Sequence, residues 1–377
     1  MCGDEIIKRK LNDRDREKIL KLCEGAEDIR LARAIESKRY YGNVCDKMHI
    51  TAIVGTNGKT TSAHMLRHIL QTAAGKEVGL IGTTGVFGTG TKSNFGENLT
   101  TPDPTDLHKI FFQMYNNGIR EVVMEVSAHA IYYKKIAGIK FAAAILTNIT
   151  QDHLDFFKTF EEYKNTKLSF FNDYDIDYKV VQPAKIPYKI SLFGEFNKYN
   201  AGAVRLVALH YGINEKTIKK ALQNMPDVAG RFNVFKKRGR IVVIDYAHTP
   251  DGLRNILKNA RELSSGKLFC VFGCGGNRDK TKRPIMGEIG VKFADYCVIT
   301  TDNPRDETEE DIIADITRNL TGNNFINIVN RSEAIKYAIG MANQGDIVVI
   351  AGKGHEEYME VKGMRIPYSD FWVINEF

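Results

Sequence analysis

Ile50-Thr51-Ala52-Ile53-Val54 runs straight into Gly55-Thr56-Asn57-Gly58-Lys59-Thr60-Thr61 and then into Ala63-His64-Met65-Leu66-Arg67-His68-Ile69-Leu70. The first segment is a short apolar run, as a buried strand requires, and the last is long enough for a helix. Gly55 and Gly58 let the backbone turn tightly and present amide N–H groups to phosphate oxygens, and the positive end of the following helix adds to the attraction. Lys59 in such a loop reaches the β- and γ-phosphates, and Thr60 offers its hydroxyl to Mg2+. The loop is shorter than the eight-residue P-loop pattern, so the strand before it and the helix after it carry much of the reading. The alternative is a glycine turn that only packs a helix on a sheet. Taken together, the three segments predict binding of a nucleoside triphosphate.

The chain has 377 residues, enough for two or three domains with a core in each. Hydrophobic residues make up 43% and charged residues 26%, an ordinary globular balance that argues against disorder. No apolar run approaches the roughly 20 residues that span a bilayer. Met1–Lys10 is charged and lacks the apolar centre of a signal peptide. Cys2, Cys23, Cys45, Cys270, Cys274 and Cys297 follow no metal-ligand or disulfide spacing, so reduced thiols and a cytoplasmic location are expected. A net charge of +7 suits an anionic, phosphate-bearing substrate. There is no basic run with interleaved aromatics, so neither nucleic acid nor a membrane is expected as a partner.

Asp13–Leu22 and Asp28–Arg39 read as two amphipathic helices, the second stopped by Gly42. Residues 1–48 are too few for a domain of any size and are expected to form a short helical remnant or docking arm. Val78–Gly82 predicts a second strand and Thr83–Asn98 a glycine- and threonine-rich loop. A helix is expected from Asp106, with Leu107, Ile110, Phe111 and Met114 on one face, Thr105 or Asp106 as its cap and Gly118 at its end. Glu121–Ser127 and Phe141–Leu146 are apolar strands that end in Glu125 and Ser127 and in Thr147-Asn148. Strands alternating with helices, each strand ending in polar residues, predict a doubly wound α/β domain with its ligands on that rim. Asp152-His153-Leu154-Asp155 alone reads equally as a helix cap beside a surface histidine; with Thr60 and Glu125 it reads as a donor set for Mg2+ beside phosphates. After a boundary near Met225–Gly230, Ile241–Ile244, Leu268–Phe272, Tyr296–Thr300 and Ile347–Ile350 repeat the pattern. The expected fold class is α/β, with a P-loop-type ATPase central domain at 49–229, its sheet mostly parallel, and a Rossmann-like C-terminal domain at 230–377.

Along the chain stand Gly55–Thr61, Thr100-Thr101-Pro102-Asp103, Met124-Glu125-Val126-Ser127, Thr147-Asn148 with Asp152–Asp155, and Asp245–Asp251. Phe272–Gly276 follows with Arg278-Asp279-Lys280 and Lys282-Arg283-Pro284, then Asp302-Asn303-Pro304-Arg305 and Gly352-Lys353-Gly354-His355-Glu356. In this order the motifs resemble the Mur ligases, and within them the UDP-N-acetylmuramoyl-tripeptide synthetase (MurE) type, from about Ile29 to Phe371. The resemblance implies an ATP-dependent amide ligase of peptidoglycan synthesis that adds one amino acid through an acyl phosphate, with ATP and Mg2+ as cofactors.

Carried over position by position, Gly55, Thr56, Asn57, Gly58, Lys59, Thr60 and Thr61 would hold phosphate, and Thr60, Glu125 and His153 the metal. Lys167 stands where the family has a lysine carbamylated by CO2, a change that turns a cation into an anionic ligand; alone it reads as an ordinary helix lysine. Asn197 and Asn200 match an asparagine pair near the adenine, although an Asn at a helix start is usually a cap. Arg231, Asp245 and His248 would face the nucleotide. Thr100, Thr101, Ser127, Tyr133 and Lys135 would face the muramoyl peptide. Selectivity for the amino acid would lie in Arg278, Asp302, Asn303, Arg305, Gly352 and Glu356. In the family, Asp-Asn-Pro-Arg accompanies meso-diaminopimelate, because an arginine fork pairs with the distal carboxylate that lysine lacks. Glu356 would take the distal ammonium.

Three departures from the family pattern stand out. The uridine-gripping N-terminal domain is largely missing, Tyr133 and Lys135 replace the usual Gln and Arg, and Asn172–Gly194 is short. All three lie on the nucleotide-sugar side. The alternatives are therefore a ligase of the same chemistry acting on a non-UDP carboxylate, or a non-catalytic or partner-dependent binding protein, with a partner protein standing in for the missing domain. A monomer is expected.

Overall fold

The computed structural model describes residues 14–90, 99–237 and 239–377. The Met1–Lys10 and Cys2 readings, the Asp13 helix start and the end of the Thr83–Asn98 loop lie outside them. The chain packs as two compact units. One takes the described residues up to Asn148 with Lys164–Ile186 and Asn200–Leu222, and the other takes Ile149–Tyr163, Pro187–Tyr199 and Gln223–Phe377.

The first unit holds strands β1 (His49–Val54), β2 (Gly79–Gly82), β3 (Gly85–Phe87), β4 (Glu121–Val126), β5 (Ala143–Leu146) and β6 (Lys179–Val181). They form one sheet in the order β3-β2-β4-β1-β5-β6. Every pairing is parallel except that of β3 with β2. Ile50 to Val54 are all buried, as the centre of a parallel sheet covered on both faces requires. The helix Lys59–Ala74 buries Met65, Leu66, Ile69 and Leu70, and the helix Pro104–Asn116 buries Leu107, Ile110, Phe111 and Met114.

Two local expectations change. Part of the loop after Gly82 is an edge strand, because Thr83-Thr84 make a two-residue reversal that lays β3 back along β2. The helix expected from Asp106 begins at Pro104 with Asp103 at its N-cap position. Proline fits the first helical turn, where its missing N–H would have had no partner. Upstream, Arg14–Leu22 and Ile29–Tyr40 are helical; Asp28 caps the second by accepting from the N–H groups of Arg30 and Leu31. Ile19, Cys23 and Tyr41 bury one another, and Ser37 meets Thr105 at 3.3 Å, so these helices pack into the first unit.

The second unit holds β7 (Asn233–Lys237), β8 (Arg240–Asp245), β9 (Leu268–Phe272), β10 (Tyr296–Ile299), β11 (Phe325–Asn327) and β12 (Ile347–Ala351), ordered β11-β10-β9-β12-β8-β7. Only β7 is antiparallel. A separate hairpin pairs β13 (Tyr358–Val361) with β14 (Met364–Pro367). Helices Pro250–Arg261, Lys282–Phe293 and Glu309–Thr317 bury Leu253, Leu257, Met286, Ile289, Ile313 and Ile316 in one core. Arg331–Met341 and Asp370–Asn375 bury Ile335, Ile339, Val373 and Ile374 in a second. Arg331 and Asp370 are fully buried and paired twice, Nε to Oδ1 and Nη2 to Oδ2, both at 2.8 Å. The remaining Arg331 donors reach Thr301 O, in the segment after β10, and Ala351 O, at the end of β12.

The five described cysteines are free and buried. Among the described residues no helix is long and apolar enough to cross a membrane.

Candidate functional site

In the first unit, Gly55 and Gly58 shape the loop after β1. A Cβ on Gly55 would lie 1.9 Å from Thr147 Oγ1, and one on Gly58, at φ +84°, 2.5 Å from Asn200 Oδ1. A side chain at Gly55 would force Thr147 to move, and one at Gly58 would crowd Asn200 and strain a left-handed backbone. Asn148 closes the turn, its Oδ1 accepting from Asn57 N and its Nδ2 donating to Asn57 O. Lys59 Nζ donates to Gly55 O and Thr56 O, both at 2.9 Å, so its ammonium lies over the loop. Lys167 is buried on the helix Phe160–Asp173, and its Nζ donates to the same Gly55 carbonyl at 2.8 Å. Thr61 is buried in the first helical turn.

Glu125, at the end of β4, is fully buried. Its Oε2 accepts from Thr60 Oγ1 and Thr83 Oγ1, each at 3.1 Å, and its Oε1 from Thr83 N at 2.9 Å. Thr83 Oγ1 also meets Thr100 Oγ1 at 3.1 Å. Thr101 Oγ1 donates to Glu125 O and accepts from Ser127 N, while Ser127 Oγ caps the short helix after it. A hydroxyl and a carboxylate side by side are hard oxygen donors, and they fit Mg2+. Among the described residues no three His, Cys, Asp or Glu side chains gather to hold a metal by themselves. Tyr133 stacks near the Arg30 guanidinium and Lys135 is ion-paired with Asp103 at 2.6 Å.

In the second unit, candidate residues sit at the carboxyl ends of β8, β9, β10 and β12, the rim where an open parallel sheet binds ligands. Asp245, ending β8, accepts from the N–H groups of Phe232 and Ala247, both at 2.7 Å. Burial pushes its carboxyl up against the opposing pull of Arg231. The Arg231 guanidinium lies 4.5 Å from the centre of the Tyr246 ring, and His248 Nδ1 is 2.7 Å from Tyr246 O. Asn197 is buried with Nδ2 on Phe193 O, inside the first turn of its helix and not at a cap. His153 takes φ +57° beside Asp152.

Asp302 and Asn303 follow β10, and Gly352 and Lys353 follow β12. Burial would raise the Asp302 carboxyl, yet Lys353 and Arg331 outweigh it and hold it below the usual range, so it stays anionic. Asn303 Nδ2 and Lys353 Nζ both donate to Glu356 Oε2 at 2.9 Å. Arg305, at φ +54°, pairs with Glu360. Arg278 is exposed on the loop after β9, with Nη1 on Asn277 O.

Sequence reasoning assigns no individual role to Lys282, Lys353, Glu307 or Glu360, which the structure brings forward. Lys282 and Asp152 form a buried pair at 3.4 Å. Burial would raise Asp152, but Lys282 and then His153 and His248 hold it far below the usual carboxylate range. In sequence, Lys282-Arg283-Pro284 looks like a solvated helix start, and nothing local marks it as buried. Lys353 and Glu360 were equally silent.

Glu307 braces the loop after β9, bridging both Nη atoms of the fully buried Arg283 at 2.9 Å and accepting from Asn277 N. The Arg283 hydrogen bonds hold its carboxyl down at about 2. A depressed carboxyl stabilises the fold above its unfolded value, near 4.5, and loses that contribution as pH falls toward 2. Glu307→Gln is expected to lower stability by about 1 kcal/mol at pH 7, allowing for solvent screening, with the gap from the parent closing below pH 4.5. Urea unfolding at several pH values checks this, and a gap that widens in acid would contradict it.

A glycine loop that leads from a parallel strand into a helix in the first unit, and a polar sheet rim in the second, are the features of an ATP-dependent ligase of the class that the comparisons identify. The chain belongs to the Mur ligase family: residues 53–189 match the Mur ligase middle domain and residues 230–354 the Mur ligase, glutamate ligase domain. It is 41% identical over 397 aligned residues to UDP-N-acetylmuramoyl-L-alanyl-D-glutamate--2,6-diaminopimelate ligase of Clostridium botulinum, covering 93% of this chain and 82% of that one. A solved structure of a ligase with the same name is 28% identical, with a TM-score of 0.57 over 93% of this chain and 82% of its own. A bifunctional folylpolyglutamate synthase/dihydrofolate synthase from Yersinia pestis, solved with AMPPNP and Mn ion, shares the fold. Its TM-score is 0.66 at 17% identity, over 90% of this chain and 95% of that one.

Proposed function

We propose that the chain is an ATP-dependent amide ligase that joins meso-diaminopimelate to the D-glutamyl carboxylate of UDP-N-acetylmuramoyl-L-Ala-D-Glu. The observation that carries this reading is the rim of the second sheet, where anionic Asp302 and the Arg305 guanidinium stand within four residues of each other. One suits an ammonium and the other a carboxylate, the groups a diamino diacid presents. The names of the relatives support the same substrate pair.

The acceptor carboxylate takes the γ-phosphoryl group of ATP, releasing ADP and leaving an acyl phosphate. The amine nitrogen then attacks the acyl carbon, loses a proton, and phosphate departs as the tetrahedral intermediate collapses to the amide. This chemistry needs positioning and charge neutralisation above all. Lys59 and the N–H groups of residues 55–61 hold the phosphates, and Asn200 borders the loop at Gly58. Thr60 and Glu125 would hold Mg2+, which neutralises phosphate charge when bound. Lys167, once carbamylated, would add an anion beside Gly55. Arg231, Asp245 and His248 are assigned to the nucleotide. Thr100, Thr101, Ser127, Tyr133 and Lys135 are assigned to the acceptor. Arg278, Asp302, Asn303, Arg305, Gly352 and Glu356 are assigned to the diamino acid.

The test is phosphate release from ATP with UDP-N-acetylmuramoyl-L-Ala-D-Glu, comparing meso-diaminopimelate with L-lysine. Turnover with diaminopimelate, weak or absent turnover with lysine, and loss of that preference in Arg305→Ala are expected. No turnover with either amine in the presence of bound ATP would overturn the reading and turn attention to another carboxylate acceptor.

A further inference from the structure

The N-terminal helices are seated firmly on the first unit. Tyr40 OH and Tyr41 OH donate to the Asp15 carboxylate at 2.9 and 2.8 Å, Arg16 pairs with Asp106, and Lys38 Nζ donates to Gly138 O at 2.7 Å. At the other end of the helix Ile29–Tyr40, its cap Asp28 pairs with Lys134 Nζ at 2.7 Å. The first turn of that helix is thereby pinned to residues 132–135, which include Tyr133 and Lys135, both assigned to the acceptor.

Arg30 projects from this first turn and is exposed. Its guanidinium carbon lies 5.4 Å from the centre of the Tyr132 ring and 5.2 Å from that of Tyr133, and the two rings stand at 87° to each other. Among the described residues these rings are its only side-chain partners. The nearby carboxylates are already used: Asp28 by Lys134 and by the N–H groups of Arg30 and Leu31, Asp103 by Lys135 at 2.6 Å. Of the cations Arg30, Lys134 and Lys135, only Arg30 lacks an acidic partner among the described residues. A guanidinium that rests on aromatic faces keeps its planar N–H fork for an oxyanion, and the fork matches two oxygens of a phosphate.

Its place selects the oxyanion. Ser127 caps the helix Ala128–Tyr132, so Arg30 meets this segment about 7 Å along the helix from Ser127, at the end away from Thr101 and Glu125. In a nucleotide-sugar peptide whose carboxylate reacts beside Glu125, the anion at the remote end is the diphosphate.

We infer that Arg30 binds a phosphate of the acceptor's diphosphate, with Tyr132 and Tyr133 as the platform for its guanidinium. This rests on the ligase reading and deepens it: the N-terminal helices, in which sequence reasoning finds only a remnant or docking arm, supply a ligand for the acceptor.

The experiment compares kcat/KM for UDP-N-acetylmuramoyl-L-Ala-D-Glu with that for N-acetylmuramoyl-L-Ala-D-Glu, which has the same reacting carboxylate and no diphosphate, in the parent, Arg30→Ala and Arg30→Lys. A hydrogen bond to a charged group predicts that Arg30→Ala narrows the parent's preference for the nucleotide form by roughly tenfold to a hundredfold. Arg30→Lys keeps the charge without the fork and is expected to restore part of that preference. If Arg30 only props the two tyrosines, Arg30→Ala weakens both acceptors alike and the ratio is unchanged, which overturns the inference while leaving the ligase reading intact. Turnover of neither acceptor by the parent overturns both.

Discussion

Lys59→Ala is expected to cut ATP-dependent phosphate release by roughly a thousandfold or more, the scale on which removal of one positioned charge-stabilising donor acts. The ammonium is held over the phosphate loop by Gly55 O and Thr56 O. Both are neutral carbonyls, and they hold the ammonium at the loop that would cradle the phosphates. Lys167 reaches the same Gly55 carbonyl, but from a buried helix site. Lys59→Arg is expected to recover little, because a planar fork does not replace a compact ammonium in a loop this tight. Single-turnover phosphate release checks the effect, with far-UV circular dichroism to show an intact fold. A variant that retains a tenth of parental activity would remove Lys59 from the phosphate site.

Arg331→Ala is expected to destabilise the second unit by about 3–5 kcal/mol, which is the cost of leaving a buried charge without its partner. Asp370 is fully buried, and its only other described donor is Tyr368 OH at 3.0 Å. The same deletion strips Thr301 O and Ala351 O of their shared donor just before Asp302 and Gly352. Loss of stability and a raised KM for the diamino acid are therefore expected together. A double variant, Arg331→Met with Asp370→Leu, removes both charges and is expected to regain most of the stability, since well-packed apolar replacements of buried ion pairs are often near neutral. Urea unfolding of the three proteins checks this; a loss below 1 kcal/mol in Arg331→Ala would mean that the pair is not a keystone.

The central strands were legible because parallel strands buried on both faces are continuous apolar runs, as in Ile50–Val54 and Ile347–Ile350. The edge strands were not. β3, β6 and β11 are three residues long, too short for any period to show, and β7 and the β13–β14 hairpin carry charges that look like loop. The phosphate loop was readable because its glycines, lysine and threonine are adjacent in sequence. The ion pairs were invisible for the opposite reason: Asp152 and Lys282, or Arg331 and Asp370, are far apart in the chain, and each alone looks like a solvated charge. The sharing of Arg305 between Glu360 and a prospective ligand depends on a hairpin that periodicity does not disclose.

The pairing order of the two sheets also governs how the protein is made. β1 lies between β4 and β5, so His49 waits for Glu121 and Thr51 for Ala143. β8 is flanked by β7 and β12, and Ile241 has no parallel neighbour until Ile347 has been synthesised. Closing such long loops before any contact compensates for them makes folding slow. On the ribosome the second sheet cannot be completed until Ala351 has emerged, and during that interval the apolar edge of β8 stands open to chaperones and to other nascent chains.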